Sequence, residues 1–366
     1  MKTNKIIIIL GIVLVIVLGV FAVTRTSGPN TAQNITIGLM LPLTGDYGAA
    51  GQNMLKGMNL AIDQYKKEHP TVTLKVITED DGYEVKKGVS AYKKLVGIDN
   101  VDIIFMLSTP VIDAIHEDVV KTGIPVIQLG VQTVGVARDN IFQFSPTADA
   151  PIGYLATYLG QQSDFITKKV AVVYDNGAAQ IDFFNVFKKN YGHDFTPFVV
   201  NNRTDLRGIA IKIAGGNYDA VMVIESPENG AILTKEILTI AKKAPIFAYD
   251  AQLQTGFADY QRILGDANKI NGAKSMWFKS GKTSEFIKLF KEKYNSEPGF
   301  LADFAFDMIN VGLQTYSTNT EQWLQNIQAT NNPDGVSGAI SFDDNGIRIQ
   351  PMVITHVKNG ELVPME

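Results

Sequence analysis

Ile35–Gly51 reads ITIGLMLPLTGDYGAAG, and this stretch decides the fold. Ile35, Ile37, Leu39, Met40 and Leu41 form an apolar run of strand length. Pro42 to Gly51 then brings Gly45, Gly48 and Gly51 at a spacing of three before a helical pattern opens. The order is strand, loop, helix. A loop that leaves the carboxyl end of a strand lies on the rim where open α/β sheets bind small ligands.

The alternation continues outward from this unit. Gln52 to Lys67 places Met54, Met58, Ala61, Ile62 and Tyr65 on one helical face. Thr71 to Thr78 reads as a strand ending at Glu79-Asp80-Asp81-Gly82, Val85 to Val96 as a helix, and Val101 to Leu107 as a third strand. Ile112 to Val120 is a short helix, and Ile124 to Leu129 a fourth strand closed by Gly130-Val131-Gln132-Thr133. Short connections between alternating strands and helices predict a parallel sheet covered on both faces.

The cycle then repeats. Strands are predicted at Lys169–Tyr174, Phe198–Val200, Asp219–Ile224, Pro245–Tyr249 and Ala273–Phe278, with helices at Ile181–Lys189, Leu206–Ala214 and Ala231–Ala241 between the first four. Phe142 to Thr147 is a candidate crossover between the cycles. Ser284 reads as the cap of a helix carrying Phe286, Ile287, Leu289, Phe290 and Tyr294, and a second helix follows over Ala302–Thr315. The tail from Val336 reads as hairpins turning at Asp343–Gly346 and Lys358–Gly360. Two similar α/β lobes are the economical reading, which suits 366 residues, more than one core usually organises.

Composition narrows the function classes. The chain is 45% hydrophobic and 19% charged, as in ordinary globular α/β proteins, and its net charge of −4 comes with no basic face, so nucleic acid is not an expected partner. Cysteine is absent, which removes disulfides, thiolate metal sites and cysteine nucleophiles. At the amino terminus Lys2 and Lys5 precede the uninterrupted apolar run Ile6–Val23, and a polar linker follows from Thr24. As a helix that run would rise about 27 Å, close to the hydrocarbon core of a bilayer. It reads as an uncleaved membrane anchor in preference to a cleaved signal, for which Val20-Phe21-Ala22 is a weak site. In either case the rest of the chain is expected outside the cytoplasm.

Chemistry-bearing motifs are scarce. Gly45, Gly48 and Gly51 have the spacing GxxGxxG, not GxGxxG, and Asp80 and Asp81 follow too late to be a dinucleotide fingerprint. The histidines His69, His116, His193 and His356 are dispersed, and no HExxH, GxSxG or P-loop pattern occurs. No enzyme, metal or cofactor is therefore expected. Polar or small residues do recur at strand ends: Thr44 and Gly45, Ser108 and Thr109, Gly130 to Thr133, Asp175, Glu225 and Ser226, and Asp250. Singly, such residues make turns and caps. Together, at the carboxyl ends of strands in both cycles, they outline two rims facing across a cleft.

The stretches IGLMLPLTGDYGAAGQNMLKGMNLAI, EDDG, KTGIPVIQLG, FAFDMINVGL and GVSGAISFDDNG give the chain a resemblance to the type I periplasmic binding proteins, in the leucine/isoleucine/valine-binding branch of ABC-transporter substrate-binding proteins. The resemblance runs from Ile35 to the end. It implies two Rossmann-like lobes joined by three crossover strands and closing by a hinge. Residues 35–145 plus about 280–330 would form lobe 1, and 146–279 plus about 331–366 lobe 2, after an anchor over 1–24 and a linker over 25–34. It also implies capture of an amino acid or related small polar molecule for delivery to an ABC permease. A sensory domain of the same fold is the alternative.

By the same resemblance, Thr109 and the backbone of Gly130, Val131 and Gln132 would hold a ligand carboxylate, with Ser108 a further ligand-binding candidate from its strand-end position. Asp250, with Glu225 and Ser226 on the same rim, would hold an ammonium. Tyr47 is the candidate lid, and Trp277 and Phe278 the far wall. Gln132 stands where a hydroxyl residue is usual, and Ala179-Gln180 where Tyr-Gly is common. These departures leave room for a bulkier or less charged ligand.

Overall fold

A computed structural model describes residues 33–45, 47–130, 140–147, 149–279, 281 and 283–365. The predicted anchor, most of the linker, and Val131 and Gln132 lie outside the described residues. Among the described residues no helix is long and apolar enough to cross a membrane.

The first cycle gives β1 (Asn34–Leu41), α1 (Gly48–Glu68), β2 (Thr73–Asp80), α2 (Val85–Gly97), β3 (Ile103–Met106), α3 (Thr109–Thr122), β4 (Val126–Gln128) and β5 (Ile141–Gln143). These strands form one sheet in the order β2-β1-β3-β4-β5, parallel throughout. β1 lies inside the sheet and is buried on both faces, which is why it reads as a continuous apolar run and not as an alternation. Ile37, Leu39 and Leu41 pack with Met54 and Met58 of α1, while Met40 faces Leu95 of α2 and Ile112 of α3. Full burial of each such side chain is worth roughly 1.5–3 kcal/mol.

The second cycle gives α4 (Asp149–Leu159), α5 (Ser163–Ile166), β6 (Val170–Asp175), α6 (Ala178–Tyr191), β7 (Thr196–Val200), α7 (Asp205–Gly215), β8 (Ala220–Ile224), α8 (Pro227–Ile240), β9 (Ile246–Tyr249), α9 (Gln252–Thr255), α10 (Phe257–Leu264) and β10 (Lys274–Phe278). The chain then forms α11 (Ser284–Tyr294), α12 (Ala302–Gln314), α13 (Thr320–Gln328), a small ladder of β11 (Asn331–Asn332) with β12 (Ile340–Ser341), and the hairpin β13 (Met352–Lys358) and β14 (Glu361–Pro364). The second sheet runs β14-β13-β10-β9-β8-β6-β7, with the hairpin antiparallel at one edge. Its parallel part repeats the order of the first sheet. Asn359 and Gly360 both take positive φ at the hairpin turn, the backbone twist that a two-residue connection requires.

Phe286, Phe290, Phe304, Met308, Trp323, Ile340 and Phe342 belong to the core of the first sheet, although they follow the whole second cycle in sequence. The chain returns to its first lobe before its last hairpin joins the second. Segments crossing between the lobes run side by side. The Gln143 amide donates to the Gly346 carbonyl (2.9 Å), the Arg348 amide to the Gln143 carbonyl (2.9 Å), and the Lys279 amide to the Pro351 carbonyl (2.8 Å).

Two local readings need correction. Ser284 is the first residue of α11, and Thr283 occupies the cap position without a side-chain hydrogen bond. Gly48 and Gly51 are in α1 and not in the loop. Gly51 has no room for a β-carbon, because the carbonyl of Pro42 sits against it. Gly48 and Gly51 therefore share one face of the helix, on which the preceding loop folds back, while Gly45 stays in that loop with positive φ.

Candidate functional site

Each sheet reverses its strand order at one place, between β1 and β3 in the first and between β6 and β8 in the second. Beyond the strand ends at such a switch point the loops diverge and leave a crevice. The first crevice is bounded by Leu43–Gly45 and by Ser108–Thr109, the second by Asp175 and by Glu225–Ser226.

In the first lobe, Asp80 holds the loop after β1. It accepts from the Leu43 amide (2.8 Å), the Thr44 hydroxyl (2.6 Å) and the Gly82 amide (2.9 Å). Slight burial opposes ionisation, but these donors prevail and hold the Asp80 carboxyl below the usual carboxylate range. Its neighbour Asp81 is fully buried and accepts from the Ser108 hydroxyl (2.6 Å) and the Tyr83 amide (2.8 Å). Burial pushes Asp81 upward.

Ser108 is the cap residue of α3, yet its hydroxyl goes to Asp81 and not to the helix. Ser108 thus braces the crevice from behind. Thr109 opens the helix, and its side chain and backbone lie in hydrogen-bond reach of the Tyr83 hydroxyl. A β-carbon at Gly130 would stand 2.7 Å from the Thr109 hydroxyl and 3.0 Å from the Leu107 carbonyl, so only glycine lets the β4 loop approach Thr109.

Tyr47, just before α1, is 48% exposed and stacks on Tyr83 with ring centroids 4.0 Å apart. Tyr83 was missed by the sequence reading. Its backbone takes positive φ directly after Gly82, which also does, and this tight turn swings the ring under Tyr47. The available signal was the aromatic residue directly after EDDG.

In the second lobe, Glu225 follows β8, is 1% exposed, and its Oε1 has no hydrogen-bond partner among the described residues. Its other oxygen is 3.5 Å from the Asn229 amide nitrogen. Asp250 follows β9, is 5% exposed, and accepts from the Gln252 amide (3.1 Å). Half-buried Asp175 accepts from the Gly177 amide (2.6 Å). Burial and then the neighbouring Asp175 carboxylate push Glu225 to about 7. Burial pushes Asp250 well above its ordinary value, with Glu225 and Asp175 adding repulsion. Ser226 is the cap residue of α8 and makes no side-chain capping bond.

Trp277 and Phe278 point to opposite faces of β10. Trp277 lines a cavity of about 410 Å³ between the lobes, together with Gln254, Asp303, Phe304, Glu297 and Phe300. Phe278 packs edge-on against Phe304 (5.9 Å) at the border of the first core. The structure therefore gathers Tyr47, Ser108, Thr109 and Gly130 on one rim and Glu225, Ser226 and Asp250 on the other. Trp277 stands in the inter-lobe cavity, and Phe278 lies in packing beside it.

The raised Glu225 value has a stability consequence. The folded protein binds this proton more tightly than the unfolded chain, so the contribution is fully present below the ordinary value of 4.5 and is lost as pH rises through about 7. A displacement of this size corresponds to about 3 kcal/mol. The unfolding free energy of Glu225→Gln should therefore gain on the wild type by nearly that amount between pH 4.5 and pH 8. Parallel denaturation curves across that range would show Glu225 ionising freely.

Comparison with known proteins follows the same geometry. Residues 34–361 match the family described as "Periplasmic binding protein". The chain is 27% identical over 243 residues to the Leu/Ile/Val-binding protein BraC3 of Rhizobium johnstonii, covering 63% of this chain and 65% of that protein. It is 30% identical over 175 residues to Leu/Ile/Val-binding protein homolog 3 of Brucella melitensis, covering 46% of each. The matches thus span less than two thirds of these relatives. Among solved structures, the branched-chain amino acid transporter substrate binding protein LivJ of Streptococcus pneumoniae, in complex with isoleucine, superposes with a TM-score of 0.73 at 18% identity, over 90% of this chain and 98% of that one. A solute binding protein of an ABC transporter from Rhodopseudomonas palustris, in complex with 3,4-dihydroxy benzoic acid, gives 0.72 at 18% identity, over 91% and 96%. With a family match across nearly the whole described chain and two lobes that each end in a polar switch-point rim, the chain belongs to the periplasmic binding protein family.

Proposed function

We propose that this protein is an extracytoplasmic solute-binding protein that captures a small amine-bearing solute between its lobes and presents the closed form to an ABC permease. The observation that carries the reading is the pairing of two unlike rims. One offers a hydroxyl at Thr109, backbone at Gly130 and the start of α3. The other offers the buried carboxylates Glu225 and Asp250. A carboxylate and an ammonium leaving water each need compensation, and these rims supply opposite halves of it. The relatives named above as Leu/Ile/Val-binding proteins support the class.

Residues 6–23 are read as the tether to the outer face of the membrane. Lobe 1 is taken as 35–145 plus about 280–330, and lobe 2 as 146–279 plus about 331–366, with Tyr47 over the entrance and Trp277 on the side wall. Val131 and Gln132, expected from the resemblance to contact the solute, lie outside the described residues. Closure would be stabilised because the solute touches both lobes only in the closed form. Binding without turnover is enough for this role.

A thermal-shift screen tests the reading. A solute at about 100 times its dissociation constant should add roughly 2.7 kcal/mol to stability. Shifts from amino acids or small amines that disappear in Thr109→Val would support it. A shift that survives both Thr109→Val and Asp250→Asn would place the solute elsewhere.

A further inference from the structure

The second-lobe rim carries more carboxyl groups than one ammonium needs. Asp175, Glu225 and Asp250 close three neighbouring strands, β6, β8 and β9, and Asp175 is near enough to raise the proton affinity of both Glu225 and Asp250. Among the described residues none of the three is in an ion pair. Cations of the same lobe are engaged elsewhere: Lys274 with Asp164 (2.8 Å), Arg203 with Glu228 (3.2 Å) and Arg262 with Asp259 (2.7 Å). Tyr260 packs edge-on against Tyr249, and Asn229 lies beside Glu225.

Glu225 Oε1 is the second observation. It is a buried acceptor atom without a partner, on a side chain that is 1% exposed. Leaving such an atom unpaired is costly, and more so when the group is charged, so it marks a place where a donor belongs. Among the described residues no three histidine, aspartate or glutamate side chains converge on one point. The inter-lobe cavity places Glu297 and Asp303 beside the aromatic residues Trp277 and Phe300, although Lys291 pairs with Glu297 (2.6 Å) and Arg348 offsets part of the Asp303 charge. Aromatic faces also attract organic cations.

We propose that the solute is a small organic cation with net positive charge, carrying an amine or guanidinium that bonds Glu225 as well as Asp250, in place of a charge-neutral zwitterion. This rests on the solute-binding reading and narrows it. The sequence departures at Gln132 and Ala179-Gln180 left a less charged ligand open, whereas the Glu225 carboxylate turns the choice towards a more charged one.

Titration calorimetry of the full-length chain in detergent tests the proposal with arginine, 1,4-diaminobutane, leucine and benzoate. Arginine or diaminobutane should bind at least tenfold more tightly than leucine. That advantage should fall at least tenfold in Glu225→Gln and shrink with added salt. Leucine or benzoate binding as tightly as the cations would overturn the cationic class while leaving solute capture standing. Preference for a cation that Glu225→Gln does not change would overturn the role of Glu225. Silence from both cations would overturn the class as well, and the thermal-shift screen then judges solute capture by itself.

Discussion

Asp250→Ala should weaken solute affinity by roughly 2–5 kcal/mol, the range for removing one partner of a buried charge pair. In titration calorimetry that is a loss of between about thirtyfold and a few thousandfold. The free protein should not suffer in parallel. Asp250 is buried among other acids and is held by a single backbone donor from Gln252, so its removal relieves repulsion in the absence of solute. Asp250→Asn keeps the acceptor for Gln252 and loses only the charge. If the charge is what the solute needs, asparagine should lose nearly as much affinity as alanine. Full affinity in the asparagine variant would remove the ammonium contact from Asp250.

The largest effect on stability is expected at Arg348, at the meeting of the crossing segments. Its guanidinium is buried, donates to the Ser337 hydroxyl (3.0 Å) and to the carbonyls of Gly338 (3.1 Å) and Ala339 (3.0 Å), and lies over the ring of Phe144 with 4.6 Å to the centroid. Burial lowers its proton affinity to about 10 against the pull of Asp307 and Asp303. Asp307 in turn accepts from the Ser337 hydroxyl (2.6 Å) and amide (2.7 Å). Arg348→Ala would leave these carboxyls buried without a cation and the Gly338 and Ala339 carbonyls without this donor. Breaking a buried charged network in this way costs about 3–5 kcal/mol. Chemical denaturation should show a midpoint shift of that size, and Arg348→Lys should recover only part, since an ammonium cannot reproduce the planar fork. A loss below about 1 kcal/mol would show the network to be peripheral.

Much of this architecture was legible in the chain. The apolar run of β1 and the strand–helix alternation announce parallel sheets because a strand buried on both faces has to be apolar throughout. The Asn359-Gly360 turn announces its hairpin because both residues tolerate positive φ. The site was only partly legible. Strand-end polarity put Thr109, Glu225 and Asp250 forward as candidates, but it could not separate Ser108, whose hydroxyl braces Asp81, from Thr109, which lies in reach of Tyr83. Asp80 resembled a ribose-binding acid and is a clamp on the β1 loop. Tyr83 escaped because aromatic residues at positive φ are uncommon, and no local pattern announces a ring stacked on one from another loop. Arg348 escaped because its partners come from Phe144 and from Ser337–Ala339, which meet only where the lobes join.

The return of the chain to its first lobe also sets an order of assembly. Tyr294 of α11 bonds the backbone of Lys56 in α1 across 238 residues of sequence, and α12 fills the groove over the same helix. A chain emerging from the ribosome therefore has the second β/α cycle in hand before the first has its missing helices. Until then Met54 and Met58 have no complete cover. Contacts this distant carry a large loop-closure cost and slow the search for the native state. The first sheet should thus be the last to become protected, which hydrogen exchange during refolding would show.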